Sequence, residues 1–108
     1  MSILISAFCP VLNATVTLTE EIWKYKILHD HEEMQAHLKL VEDTLKDKNV
    51  LLYRKQRDPK KLAIFKETAY FLPYNKFLKI ALETKDEHTA IVTTAHACYN
   101  IPTDMERL

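Results

Sequence analysis

The chain contains no glycine in 108 residues. At ordinary usage, about 7%, a chain of this length would carry roughly seven or eight. Without glycine, neither the GxxxxGK phosphate loop nor the GxGxxG dinucleotide fingerprint can be written, so nucleotide-cofactor chemistry of the common kinds is excluded. Tight turns must come from Asn, Asp and Pro instead. Four stretches offer them: "KDKN" at 46–49, "RDPK" at 57–60, "LPYN" at 72–75 and "KDEH" at 85–88.

Those turns divide the chain. "NATVTL" (13–18) is β-branched and reads as a short strand or extended arm. Thr19, followed by Glu20 and Glu21, reads as an N-cap with acidic residues in the first turn, opening a helix to about residue 28. Ile22, Trp23, Ile27 and Tyr25 are expected on its inner side. Met34, Leu38, Val41 and Leu45 recur at helical spacing and predict a second helix over about 32–46. The period then changes to two, which predicts four successive strands at 50–54, 62–66, 77–82 and 90–97. The expected class is α+β: two N-terminal helices packed on one face of a four-stranded antiparallel meander. One domain is expected over 1–108, with 1–18 an arm or strand, 19–46 helical and 50–98 the sheet.

A hydrophobic fraction of 47% and a charged fraction of 28% are those of an ordinary globular protein. The apolar start, "MSILISAFCPVLNATVTL", lacks a basic n-region and is interrupted by Pro10. It is too short for a membrane span and poor as a signal peptide, which predicts a cytoplasmic protein with no membrane partner. Cys9 and Cys98 then read as reduced, buried small residues. Fifteen basic and fifteen acidic residues cancel, but between Tyr53 and Lys66 six cations face only Asp58, a local balance of +5 that leaves −5 elsewhere. Such asymmetry either focuses an anionic ligand onto one face or marks a solvated hairpin.

"HDHEE" (29–33) is the densest cluster of chemistry-bearing residues. On a helix, His29 and His31 would point nearly opposite ways, and the pair His29 and Glu33 at i, i+4 supplies only two ligands. No metal or other cofactor is therefore expected. Acid–base chemistry is the second candidate, with His29, His31, His37, His88 and His96 available. RNA cleavage that uses the 2′-OH as nucleophile needs a base, an acid and fixed donors on the phosphate oxygens. Strict alternation on the last strand puts Val92, Thr94 and His96 on one face and Thr93 and Ala95 on the other. If Val92 and Ile64 face the core, Thr94 and Lys66 look into the concave side under the helices. Each of these residues also has an ordinary reading, as a surface histidine, a helix-boundary residue or a strand-forming threonine.

The order "IWKYKILHDHEEM", "TLKDKNVLLYRKQRDPKKLAIFK", "KFLKIAL", "AIVTTAH" resembles the phage-type barnase–EndoU–colicin–RelE-like nuclease family over about residues 16–98. Those sequences read approximately W-x-x-H-I, then H-P-E-[LM], a basic hairpin, a [YF]-[YF]-K strand and a terminal [IV]-[IV]-T-A-[YF] strand. The resemblance aligns His31 with the histidine of H-P-E, Trp23 with the preceding aromatic, Lys66 with the strand lysine and Thr94 with the threonine of T-A-[YF]. Three positions depart: Glu32 replaces the proline, Lys26 the first-helix histidine, and His96 the terminal aromatic.

The resemblance implies metal-independent endoribonuclease activity, toxin-like, on RNA and possibly tRNA, with a cognate inhibitor protein as a candidate partner. On that reading His31 is acid or base, Lys66 and Arg54 stabilise the phosphate, and Thr94 donates to it or orients His31. Lys55, Arg57, Lys60 and Lys61 bind the backbone, and exposed bases stack on Tyr53 or Trp23. The alternatives are an inactive relative that binds RNA or protein, and a plain interaction domain with a solvated hairpin.

Overall fold

The computed structural model describes residues 2–108 and has one sheet of seven strands. In chain order these are β1 (Ile3–Cys9), β2 (Ala14–Thr19), β3 (Leu51–Lys55), β4 (Asp58–Glu67), β5 (Phe77–Thr84), β6 (Thr89–Cys98) and β7 (Met105–Arg107). Their spatial order is β1-β2-β6-β5-β4-β3-β7. All neighbours are antiparallel except β2 and β6, which run parallel through Thr15–Thr89, Val16–Ala90 and Thr17–Ile91. The expected four-stranded antiparallel meander is therefore wrong as a fold class. The meander β3–β6 exists, but it is the centre of a larger mixed sheet. The N-terminal hairpin extends one side of it and β7 the other.

The hairpin was hidden by its composition. Ile5, Ala7 and Cys9 turn inward on β1, while apolar Leu4 and Phe8 alternate with them on the exposed side, so contrast between the faces is weak. Its turn contains Asn13 at φ 53°, the sole left-handed residue among those described. Asparagine tolerates that conformation better than most residues, and here it fills the place glycine would otherwise take.

The helical part is also more broken than expected. Segment α1 (20–30) begins with the Thr19 cap, whose Oγ1 accepts from Ile22 N at 3.3 Å. It widens into a π-helical turn at Trp23–Ile27 and closes as α-helix at Leu28–Asp30. Trp23 and Ile27 are buried, whereas Tyr25, expected inward, is largely exposed. The second expected helix is a 3-10 turn, Glu32–Met34, followed after a break by α2 (Leu38–Lys46). Met34, Val41 and Leu45 are all buried, so the apolar spacing holds although the helix is interrupted. At the break, the His37 ring packs on Phe71 (5.0 Å, edge-on) and Tyr70 (5.5 Å) of the β4–β5 loop.

One face of the sheet carries the helices and the main core. Ile5, Val16, Leu18, Val92, Leu78, Ile80, Leu82, Leu62 and Ile64 meet Trp23, Ile27, Met34, Val41 and Leu45 there. The other face is largely open. On it Phe65 is buried beneath the edges of Tyr53 (5.3 Å) and Phe77 (6.3 Å). The Cα radius of gyration, 12.8 Å, matches the value of about 13 Å for a single packed domain of this length. Among the described residues no helix is long and apolar enough to cross a membrane.

Candidate functional site

Two local features decide which side chains reach the open face. The first is a β-bulge in β6. Ala81 pairs with Thr94 but Leu82 with Val92, so Thr93 is an extra residue in the ladder. A bulge shifts the alternation by one. Val92 and Ala95 both face the helices, and Thr94 and His96 both register with open-face positions, Ala81 and Lys79. Thr93 donates to Ala81 O at 3.3 Å and also lines the open face. The expected grouping of Val92 with Thr94 and His96 is thus overturned.

The second feature is the end of β6. Beyond Ile91 it has left β2 behind, and α1 with the 3-10 turn runs beside it instead. Ala97 N, which faces away from β5, donates to Glu33 Oε2 at 3.3 Å. That arrangement brings His31 over His96, with ring centroids 4.6 Å apart and planes inclined by 23°. Glu33 Oε2 lies 3.9 Å from His31 Nδ1, and His96 Nδ1 lies 3.0 Å from Ala97 O. Burial holds His96 below the usual imidazole range, and the nearby His31 and Lys79 add to this against the Ala97 carbonyl and Glu33. His96 is therefore a neutral imidazole near pH 7, able to accept a proton.

Lys79, the cross-strand neighbour of His96, lines a cavity of about 260 Å³ on the open face, which neither histidine lines. Lys26 from the π-helical turn, Lys55, Lys61 and Lys79 line it, with Ala63, Ala81 and Thr93 as its floor and Glu83 and Asp104 its only acidic lining. Lys61 has Asp58 at 3.9 Å. Among the described residues, Lys26, Lys55 and Lys79 have no carboxylate at ion-pair distance. Lys79 instead stands 6.0 Å over the Phe65 ring. The cavity is a lysine-walled trough that carries net positive charge, suited to a polyanion.

The sequence-predicted residues divide between the two faces. His31 and Thr94 belong to the open side, with Tyr53, Lys55 and Lys61. Arg57 lines a smaller hollow at the β3–β4 turn with Lys55 and Asp104, and Lys60 lines neither cavity. Arg54 and Lys66 lie on the opposite face, because Arg54 registers with Leu62 and Lys66 with Leu78, both core-facing. Each is also engaged. Arg54 forks onto Glu106 Oε1 through Nη2 (2.7 Å) and Nε (3.3 Å). Lys66 binds the Asp47 carboxylate at the end of α2. That contact, with the Asn49 N–H, holds the Asp47 carboxyl below the usual range. The expected alignment of His31 with Lys66 and Thr94 across one cleft is therefore not found.

Trp23, at 7% exposure, is core rather than a stacking surface. His29 pairs with its neighbour Asp30 at 3.0 Å, and among the described residues no three His, Cys, Asp or Glu side chains converge on a common point. Sequence reasoning missed Lys79, and it counted His96 among the candidate histidines without foreseeing its contact with His31. Lys79 was readable, since Leu78, Ile80 and Leu82 are core-facing and force it to the open side. No protein-family model, curated protein or solved structure matches this chain.

Proposed function

We propose that the protein is a metal-independent endoribonuclease that binds RNA along the lysine trough and cleaves it at the His31–His96 pair. The observation that carries the reading is that stacked pair, one member half-buried and held toward its neutral form, beside unpaired Lys79 and the Thr93 and Thr94 hydroxyls. His96 removes the 2′-OH proton and the 2′-oxygen attacks the adjacent phosphorus. His31 then protonates the departing 5′-oxygen, leaving a 2′,3′-cyclic phosphate. Lys79 and a threonine hydroxyl stabilise the charge that develops on the non-bridging oxygens. Glu33 orients His31 and fastens the helical segment to β6.

The order of motifs shared with the barnase–EndoU–colicin–RelE-like nucleases supports the same reading, with His96 in place of that family's first-helix histidine. Lys66 and Arg54 drop out of the mechanism as structural ion-pair partners. Such an enzyme would act in the cytoplasm, where its substrate is, and a cognate inhibitor would cover the trough. An RNA-binding relative without turnover is the second reading, favoured by the trough alone. Total tRNA incubated with purified protein in EDTA separates the two. Cleavage that disappears in both His31→Ala and His96→Ala supports the enzyme, and salt-sensitive binding without cleavage supports the second.

A further inference from the structure

A third cleft, of about 440 Å³, lies between the helical break and the β4–β5 loop. Glu33, His37, Tyr70, Phe71, Tyr74 and Asn75 line it. Tyr70 and Tyr74 are 69% and 82% exposed. Two large rings held this far into water on one loop are unusual for a side of the molecule whose core is complete without them. The loop itself is tethered. Thr68 N donates to Lys76 O at 2.9 Å, and Lys76 N donates to Cys98 O at 3.1 Å. Phe71 and Tyr70 are further braced by the His37 ring. Tyr70 is therefore braced, and Tyr74 projects from the same tethered loop.

Polar groups with spare capacity share the cleft. Among the described residues, the Asn75 amide and the His37 ring nitrogens make no hydrogen bond. Glu33 Oε1 likewise has no partner, while Oε2 holds the Ala97 N–H. Flat aromatic surface with a few unspent donors and acceptors at its rim is the chemistry that recognises a planar heterocycle. Glu33 also fixes where the cleft lies, since the same carboxylate sits 3.9 Å from His31. We infer that this cleft is a nucleobase subsite, taking an unstacked base of the RNA strand next to the phosphate held at His31–His96. The inference rests on the ribonuclease reading for its substrate but not for its test.

The test is binding, measured on His31→Ala protein so that turnover plays no part. The four nucleoside 5′-monophosphates and ribose 5-phosphate are titrated at 150 mM salt, following tyrosine fluorescence and amide chemical shifts. At least one nucleotide is expected to bind tenfold or more tightly than ribose 5-phosphate. Tyr74→Ala is expected to weaken that nucleotide roughly tenfold, as loss of one base-stacking ring does, and Tyr74→Phe to restore it. Melting curves of these exposed-site variants should overlay the parent. If every nucleotide binds no better than ribose 5-phosphate, or if Tyr74→Ala leaves the difference intact, the subsite is wrong even where RNA is cleaved. Nucleotide binding lost in Tyr74→Ala, in a parent protein that cleaves no RNA, keeps the subsite and removes the enzyme.

Discussion

The His31 ring lies on the His96 ring, 4.6 Å between centroids, although one residue closes α1 and the other sits near the end of β6. Two cationic imidazoles at that separation would repel, so the contact favours a state with at most one charge. Burial already biases His96 toward the neutral form. Two rings of the same chemical type thus stand in unlike surroundings, His96 being the one that burial keeps from its charged form.

Cleavage should follow that asymmetry. His96→Ala and His31→Ala are each expected to lower kcat/KM by about 10²–10⁴-fold, the usual contribution of a positioned proton donor or acceptor. In the parent, the acid limb of the pH profile should fall below the ordinary imidazole value, because His96 must lose its proton to work. A profile whose acid limb is the same in His96→Ala as in the parent would remove His96 from the base role.

Stability should carry the same signature. The folded pKa of His96 is depressed, so the unfolded chain binds the extra proton first as pH falls. Its contribution is present above the unfolded value, about 6.5, and is lost as pH drops through the lower folded value. Thermal melts between pH 7.5 and 5 should show a fall in Tm that is smaller in His96→Asn. An equal fall in both proteins would mean that other groups dominate that window.

Lys66 and Asp47 distinguish a structural ion pair from a catalytic cation. Lys66→Met is expected to cost about 1 kcal/mol, the scale of a partly exposed ion pair reinforced by a hydrogen bond, while RNA cleavage stays within twofold. The Asp47 carboxyl should lose the larger part of its depression, with the Asn49 N–H keeping the rest, so less stability would be shed as pH falls through and below the carboxylate range. A hundredfold loss of cleavage with unchanged Tm would return Lys66 to the active site.

The trough predicts a salt dependence. Removing Lys61 or Lys79 should flatten the slope of log affinity against log salt by about 0.7 for each single-strand phosphate that is no longer neutralised. Replacing Lys60, which lines neither cavity, should change the slope less. Equal slopes for all three variants would place the RNA elsewhere.

One side chain offers a stability gain unrelated to function. Thr44 on α2 is fully buried, and its Oγ1 finds no hydrogen-bond partner. Thr44→Val keeps the shape and removes the unsatisfied hydroxyl, and should raise stability by about 1 kcal/mol in a denaturant melt. A loss of stability would show that the hydroxyl does find a partner.

Much of this was legible in the chain. Period-two alternation located the four central strands, and the Thr19 cap located the start of α1. What stayed hidden was non-local. The parallel pairing of β2 with β6 joins segments far apart in the chain, and no local pattern encodes it. The Thr93 bulge reverses the facing of half a strand, which is why strict alternation puts Thr94 on the side of Lys66. β7 is three residues, two of them charged, with no hydrophobic period to read. The well-spaced helix is broken at His37, where the ring packs on Phe71 of a distant loop, a tertiary contact that local spacing does not show.

The β2–β6 pairing also orders the assembly of the fold during synthesis. The first hairpin leaves the ribosome long before its sheet neighbour exists, and the sheet closes only when residues 89–91 arrive to meet 15–17. Non-local closures of this kind come late and slowly. His96 rides on the same strand, so a growing chain carries the trough lysines but no completed histidine pair. In a ribonuclease, that delay would protect the ribosome and message producing it.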